Sequence, residues 1–457
     1  MRNYLMAATG LVGLMLAAMP DARAQQLNDV LATAYSNNPT LLAARASLRA
    51  TDESVPQALA GWRPTVSLTG EAGRSFADAR PQTAATQATS LSPASVGIAV
   101  SQPLYRGGRT EAATATAEAA VQASRQDLAS TERRVLQDAV TSYMDVLRDQ
   151  AVLELTRNNE QVLRRQLEAT RERFRVGEIT RTDVAQAESR LSRATADRIS
   201  AEGALASSRA IFARIVGEQP GQLVPPPPLP TLPTSETEAV SLGDQQNPDL
   251  QAAQFRELSA RNDVRVSSGA LLPSVSLNAS ANTAREQSRV DAITEGARAT
   301  VQVSVPLYEA GGVYSQTRQK KQVYNQRRIQ VDEQRRAVRQ AVVQAWENLN
   351  TARSNITARK AQVQASRIAL DGVQQEAEVG SRTTLDVLDA EQEYLDAQVA
   401  QVRAERDEYV AGFALLSSVG GLSARNLGLA VDLYDPAENY NRVRDLWFGT
   451  DGGLDVD

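Results

Sequence analysis

The chain has no cysteine and no histidine among its 457 residues, and aromatic side chains make up only 4% of it. Without thiols there is neither a disulfide framework nor a cysteine for lipid attachment. Without imidazole the commonest catalytic base and transition-metal ligand is missing. Enzymatic readings start at a disadvantage, and no cofactor or metal site is expected. So few aromatics are a poor supply for one conventional globular core at this length. Beyond the first two dozen residues no apolar run is long enough for a membrane helix, so the exported protein is expected to have no helical span. Positive charge is scattered rather than gathered into one dominant patch, which argues against nucleic acid as a partner.

At the start there is a basic residue, Arg2, then an apolar run from Leu5 to Met19, then Ala22-Arg23-Ala24 ahead of Gln25. This order reads as a cleaved secretory signal peptide over residues 1–24. Its removal takes Arg2, Arg23 and Asp21 and moves the formal net charge from −5 to about −6.

The remainder is written twice. Gly61-Trp62-Arg63-Pro64-Thr65-Val66-Ser67-Leu68 returns as Gly269-Ala270-Leu271-Leu272-Pro273-Ser274-Val275-Ser276-Leu277. Ser101-Gln102-Pro103-Leu104-Tyr105-Arg106-Gly107-Gly108 returns as Ser304-Val305-Pro306-Leu307-Tyr308-Glu309-Ala310-Gly311-Gly312, and Val176-Gly177 returns as Val379-Gly380. Units this long are duplicated half-molecules, not solenoid repeats. The division that follows is a first repeat over residues 25–222, a proline-rich linker over 223–234, a second repeat over 235–424 and a C-terminal segment over 425–457. Pro225 to Pro228, Pro230 and Pro233 make the linker stiff and extended.

Each half contains an unusually long helix. Neither glycine nor proline occurs between Arg109 and Val176 or between Val313 and Asp371, so roughly sixty or more residues per copy can run as helix for on the order of 100 Å. Val338, Val342, Ala345, Leu349, Ala352, Ile356 and Val363 recur at alternating steps of four and three, interrupted at Arg359. The return helix carries Leu388, Leu395, Val399, Val402, Tyr409, Phe413 and Leu416, interrupted at Gln392 and Arg406. These are coiled-coil seams. Taken alone they fit equally a purely structural periplasmic coiled-coil adaptor without a pore.

Strands discriminate. Val66 and Leu68, then Val96, Ile98 and Val100, then Val275, Leu277 and Ala279, then Val301, Val303 and Val305 each alternate with Ser, Thr, Gly, Ala, Asn or Gln. Four strands of about ten residues, apolar on one face and small-polar on the other, match an outer-membrane barrel wall. A half-buried soluble sheet alternates in the same way. Trp62, Tyr105 and Tyr308 stand at strand ends, where an aromatic girdle sits, and polar loops over 74–94 and 285–298 join the strands of each pair. Four strands cannot close a barrel, and an open edge in hydrocarbon leaves unpaired amides costing several kcal/mol each. Chains must therefore pool strands, and because eight fill their own lumen, an open conduit favours at least three chains and twelve strands.

In this duplicated layout, in the Pro-Leu-Tyr and Gly-Gly leading from strand to helix, and in the tip Val379-Gly380-Ser381-Arg382-Thr383-Thr384-Leu385-Asp386-Val387-Leu388-Asp389, the chain resembles the TolC-like outer-membrane channels of Gram-negative bacteria. The resemblance spans essentially the whole mature chain. It implies a mixed α/β membrane protein: a homotrimer with a twelve-stranded β-barrel in outer-membrane lipid, continued by a long α-helical coiled-coil barrel across the periplasm. The implied function is the exit duct of a type I secretion system or tripartite efflux pump, joined by a periplasmic adaptor to an inner-membrane ABC or proton-driven transporter. It also implies a small network holding the entrance shut, here Arg382 with Asp183. A tyrosine often found five residues before that arginine is replaced by Ala377, with Glu376 and Glu378 as its neighbours. The tips Val176-Gly177 and Val379-Gly380 are similar to the surface on which adaptors dock; as residues, the glycines suffice to explain tight reversals.

From spacing alone, Asp386, Asp389, Glu393 and Asp396 share one stripe of a helix. Turned inward around a symmetry axis they would form carboxylate rings that select cations; otherwise they are a solvated acidic face. The corresponding stripe of the first copy, Asp183, Ala187, Arg190, Ala194 and Asp197, is not acidic. Asp386 and Asp389 have the spacing of an acid–base pair, yet they flank a turn without an apolar cleft, so no catalysis is expected.

Overall fold

The computed structural model describes residues 25–79 and 87–450; the expected signal peptide lies outside them. The first half runs α1 (Leu27–Asn37), α2 (Pro39–Asp52), α3 (Ser54–Leu59), β1 (Thr65–Ala72), β2 (Ser75–Ala79), β3 (Gln87–Leu91), β4 (Ala94–Arg106), α4 (Arg109–Arg175) and α5 (Arg181–Val216). The second runs α6 (Glu236–Gln246), α7 (Pro248–Gly269), β5 (Ser274–Arg285), β6 (Ile293–Ser304), α8 (Gly312–Glu378) and α9 (Thr384–Ser418), followed by α10 (Glu438–Val443).

The two halves repeat even their capping chemistry. Asn38 and Asn247 each precede a proline at the first position of α2 and α7, where a missing N–H is harmless. Each asparagine accepts from the amides two and three residues on. Each also donates through Nδ2 at 2.8 Å to the last turn of its own half's return helix, Asn38 to the Ile215 carbonyl and Asn247 to that of Ser418. A single side chain thus starts one helix and ties down the end of another.

Helices α4 and α8 are both 67 residues long, about 100 Å each. Helix α8 continues through Gly372 to Glu378, past the glycine-free stretch, because one glycine costs only about 1 kcal/mol against a helix this long. Seam residues Val338, Val342, Ala345, Leu349 and Ala352 are buried, whereas Ile356 and Val363 nearer the tip are only partly covered. On α9, Leu388, Leu395, Tyr409 and Phe413 are buried. The seam interruption at Arg406 is a contact between the two helical hairpins, since its Nε donates to Asp145 of α4 at 2.9 Å.

The core lies at mid-length, where α1, α2, α4, α5, α9 and the linker meet around Tyr143 and Phe212, both fully buried. The linker is held by its carbonyls: Tyr143 donates to Val224 at 2.5 Å, with the carbonyl of Gln25, ahead of α1, 3.1 Å away, and Tyr409 donates to Pro227 at 3.0 Å. Burial pushes both phenols up to about 12, so they remain donors. The C-terminal segment runs from mid-length to the base of the sheet. The Ala424 amide donates to Glu132, Asn439 donates to Asp52, and Arg63 donates to the Leu446 carbonyl and lies over the Trp447 ring.

The four-stranded sheet has the order β1-β4-β5-β6 with every pair antiparallel, so the second strand of one half pairs with the first strand of the other. Two sequence expectations need correction. Residues 74–94 are not a plain loop: β2 and β3 form a separate antiparallel hairpin there, unrecognised because its small Ala, Ser and Thr residues give little hydrophobic alternation. The stretch 285–298 is loop only between its ends, with β5 reaching Arg285 and β6 starting at Ile293. Backbone pairing, not apolar alternation, sets those limits. It also ends β6 at Ser304, opposite the first residue of β5, and leaves Val305 and Leu307 beyond the strand.

Candidate functional site

Register fixes the two faces of the sheet. The row Leu68, Ile98, Ala281, Ala297 and the row Val66, Val100, Ala279, Ala299 share one face, while Thr65, Ser101, Asn278 and Thr300 share the other. The polar face is hydrogen-bonded across strands, with Ser101 donating to Asn278 Oδ1 at 2.8 Å and Asn278 Nδ2 reaching Gln302 at 3.4 Å. The apolar face has no cover among the described residues: Leu68 is 75% exposed and Val301 63%. Among the described residues edges β1 and β6 are unpaired and run in opposite directions, so each has the polarity to continue the antiparallel pattern with another copy. Trp62 lies in the turn before β1, Tyr105 pairs with Val275 at the base of β4, and Tyr308 is exposed past the end of β6.

At the base, the β4–α4 turn crosses the end of α7 at van der Waals distance. Gly107 has φ +63, and a Cβ added there would meet the Gly269 carbonyl oxygen at 2.2 Å; one added at Gly269 would meet the Gly107 oxygen at 2.6 Å. Only two glycines fit that crossing.

The far ends of the hairpins are also duplicated. Val176-Gly177 and Val379-Gly380 close α4 and α8, with the glycines at φ +81 and +79. The amides of Glu178 and Ser381 reach back to the carbonyls of Arg173 and Glu376, a Schellman-type closure. Val176 and Val379 project into solvent, 73% and 81% exposed. Beyond each turn stands a reciprocal capping box: Thr180 with Asp183 opens α5, and Thr383 with Asp386 opens α9. Asp183 accepts from the Thr180 amide and hydroxyl, both at 2.8 Å, and Asp386 accepts from those of Thr383 at 2.9 and 2.8 Å. The amide bonds foremost, with the hydroxyls, hold both carboxyls below the ordinary aspartate range. The Thr-x-x-Asp signature of these caps is legible in the sequence.

Arg382 and Asp183 are not paired within the chain. Arg382 donates from Nε to Glu376 at 2.8 Å, inside its own hairpin, while Asp183 is engaged by its cap. Near the tips the two hairpins are joined instead by the ion pair of Arg190 of α5 with Asp389 of α9. Directly behind it Leu388 is buried with Leu163 and Ala194 of the other hairpin. Of the remaining acidic stripe, Glu393 is exposed and Asp396 accepts from Gln392 at 2.9 Å. Glu391, one step off the stripe, is buried in the seam; its Oε2 has no partner, and burial pushes its carboxyl up against a smaller opposing effect of Gln374.

A sheet with one bare apolar face and two free edges, carried on 100 Å helical hairpins, defines the subunit of an outer-membrane channel. The profile of the outer membrane efflux protein family matches residues 30–218 and 240–421. Outer membrane efflux protein BepC of Brucella suis biovar 1 is 37% identical over 430 residues, covering 94% of this chain and 92% of its own. Outer membrane protein TolC of Vibrio cholerae is 28% identical over 413 residues, covering 88% and 92%. The crystal structure of the Campylobacter jejuni CmeC outer membrane channel superposes with a TM-score of 0.79 at 16% identity, over 93% of this chain and 90% of that one. This chain belongs to the outer membrane efflux protein family, and it is a Gram-negative outer-membrane protein.

Proposed function

We propose that three copies assemble so that β1 of each pairs with β6 of the next, closing a twelve-stranded barrel over a continuous helical tunnel. The observation carrying this reading is the four-stranded sheet with two free antiparallel edges and a bare apolar face. In hydrocarbon both features demand completion by neighbours. The polar face then lines the lumen and the apolar face meets lipid. The assembly is the outer-membrane exit duct of efflux and type I secretion systems, passively conducting exported proteins or small molecules.

The far ends of the hairpins form the periplasmic entrance. Asp389 and Asp386 supply carboxylate rings there, Asp386 with its charge fixed by the cap. The Arg190–Asp389 pair, and Arg382 with Glu376, are the closed-state ties; Arg382 and Asp183 of adjoining subunits belong to the same constriction. Val176-Gly177 and Val379-Gly380, apolar and projecting, are the docking points for a periplasmic adaptor, through which an ABC or proton-driven inner-membrane transporter delivers cargo. Ion conductance across a planar lipid bilayer tests this, comparing the purified protein with the variant Asp386→Asn, Asp389→Asn. Cation-selective currents blocked from one side by multivalent cations, with block lost in the variant, are expected. A folded oligomer that carries no current in either form would point to a structural coiled-coil protein without a pore.

A further inference from the structure

Helices α4 and α8 match in length, and Val379 follows Val176 by 203 residues, as Gly312 follows Arg109. Positions on the two helices can therefore be equated one by one. On α4, Glu118, Arg125 and Glu132 recur every seven residues and form the stripe on which the C-terminal segment lies. The Ala424 amide donates to Glu132 at 2.8 Å, the Arg125 guanidinium sits 5.2 Å from the Tyr440 ring centroid, and Arg444 reaches Glu118 at 3.4 Å. The equivalent stripe on α8 is Lys321, Arg328 and Arg335, with Arg318 one turn nearer the sheet.

Nothing among the described residues covers that stripe. Arg318, Lys321 and Arg328 are exposed and take part in none of the described ion pairs, whereas Arg335, at the far end of the stripe, is half-buried and pairs with Asp332 one turn back at 2.9 Å; Lys320 and Arg339, beside the stripe, pair with Asp263 of α7 and Asp244 of α6. Charge differs as sharply as cover. Residues 318–339 contain eight Lys or Arg and two acids, whereas the equivalent 115–136 contain three of each. The clustering escapes a reading of the whole chain because acidic residues elsewhere balance it. On α4 a mixed stripe meets a mixed segment; on α8 a cationic stripe stands bare over Arg318, Lys321 and Arg328.

From this we infer that Arg318, Lys321, Arg328 and Arg335 form a docking face for an acidic segment of a second protein, lying along α8 as the C-terminal segment lies along α4. The geometry favours a polypeptide over lipid headgroups. Arg335 is 23 residues from Gly312, where α8 leaves the base of the sheet, hence about 35 Å below it, too far for a flat membrane surface to reach. A chain running parallel to the helix contacts the whole stripe, and its carboxylates gain charge-assisted hydrogen bonds from the guanidinium groups. This face is separate from the hairpin tips. It rests on the channel reading only in that α8 keeps this face outward in the assembly.

The test uses the full chain in detergent and a fluorescein-labelled oligoglutamate of about twenty residues, read by anisotropy at low and physiological salt. Binding to the native protein is expected, weakened at least about tenfold by R318E/K321E/R328E and to a lesser degree by R318Q/K321Q/R328Q. The control R165E/R181E/R209E, which reverses the same number of exposed charges elsewhere, should leave it unchanged. Absence of binding to the native protein, or equal loss in the control, overturns the inference. Loss of the oligomer in R318E/K321E/R328E on size-exclusion light scattering would make the stripe a contact between copies and overturn it as well. So would competition by phosphatidylglycerol nanodiscs but not phosphatidylcholine ones, which would assign the stripe to lipid. Each of these readouts is independent of conductance, so failure here leaves the channel reading standing.

Discussion

Replacing Arg190 by glutamine removes the charge pair that joins the two hairpins near their tips and leaves both capping boxes intact. The Arg190 side chain is 26% exposed and that of Asp389 57%, so the pair is of the surface kind, about 0.2–1 kcal/mol. One such contact gates nothing. In the proposed trimer, three break together if opening is concerted, which adds to about 0.6–3 kcal/mol and shifts the open-to-closed ratio by a factor of roughly 3–150. Open probability in planar bilayers at low ionic strength reads this directly, and the shift should shrink as salt screens the native pair. Asp389→Asn separates two roles, because it breaks the same tie and also removes an entrance carboxylate. Both variants should open the channel to a similar degree, but only Asp389→Asn should reduce cation selectivity. In the double variant the effects on opening should fail to add. Additive effects, or an Arg190→Gln channel that opens no more often than the native one, would refute the tie.

Three further outcomes follow from the geometry. Tyr143→Phe strips the linker carbonyl of Val224 of a buried donor and should cost about 1–3 kcal/mol, seen as a lower chemical-denaturation midpoint with an unchanged slope. Gly269→Ala brings a Cβ within 2.6 Å of the Gly107 carbonyl oxygen, and assembled protein recovered from membranes should fall steeply. Glu391→Gln should stabilise the second hairpin at neutral pH. Because burial raises this carboxyl above its ordinary 4.5, the folded state holds its proton more tightly than the unfolded state, and stability falls as pH rises from that value through the raised one. Glutamine mimics the protonated form, so melting temperatures of variant and native protein should converge below about pH 4.5 and separate above it; a difference independent of pH would contradict this account.

The features readable in the sequence are those with long-range regularity. Duplication, glycine-free helices and alternating strands each leave a periodic trace, and the Val338 to Ala352 seam is buried as its spacing requires. Isolated contacts leave none. Arg190 lay on a stripe remarked only for not being acidic, and nothing in its spacing says that it reaches Asp389, 199 residues away. Asp386 read as a bare charge because helical spacing places a residue on a face without saying which amide it accepts from; the Thr383-x-x-Asp386 cap answers that locally. The β2–β3 hairpin leaves little apolar trace because its alternation is between small residues. Within the chain Arg382 bonds inside its own hairpin, to Glu376 six residues back, a local contact that the resemblance does not announce.

The unpaired edges of the sheet also bear on genetics. In the proposed trimer no subunit completes its own wall, and the heritable unit of function is then the ring rather than the chain. A cell making equal amounts of native protein and of a variant that assembles but blocks the passage would, with random mixing in threes, keep roughly one ring in eight free of the defect. Such alleles should therefore behave as dominant, whereas alleles that fail to present β1 or β6 drop out of assembly and should be recessive.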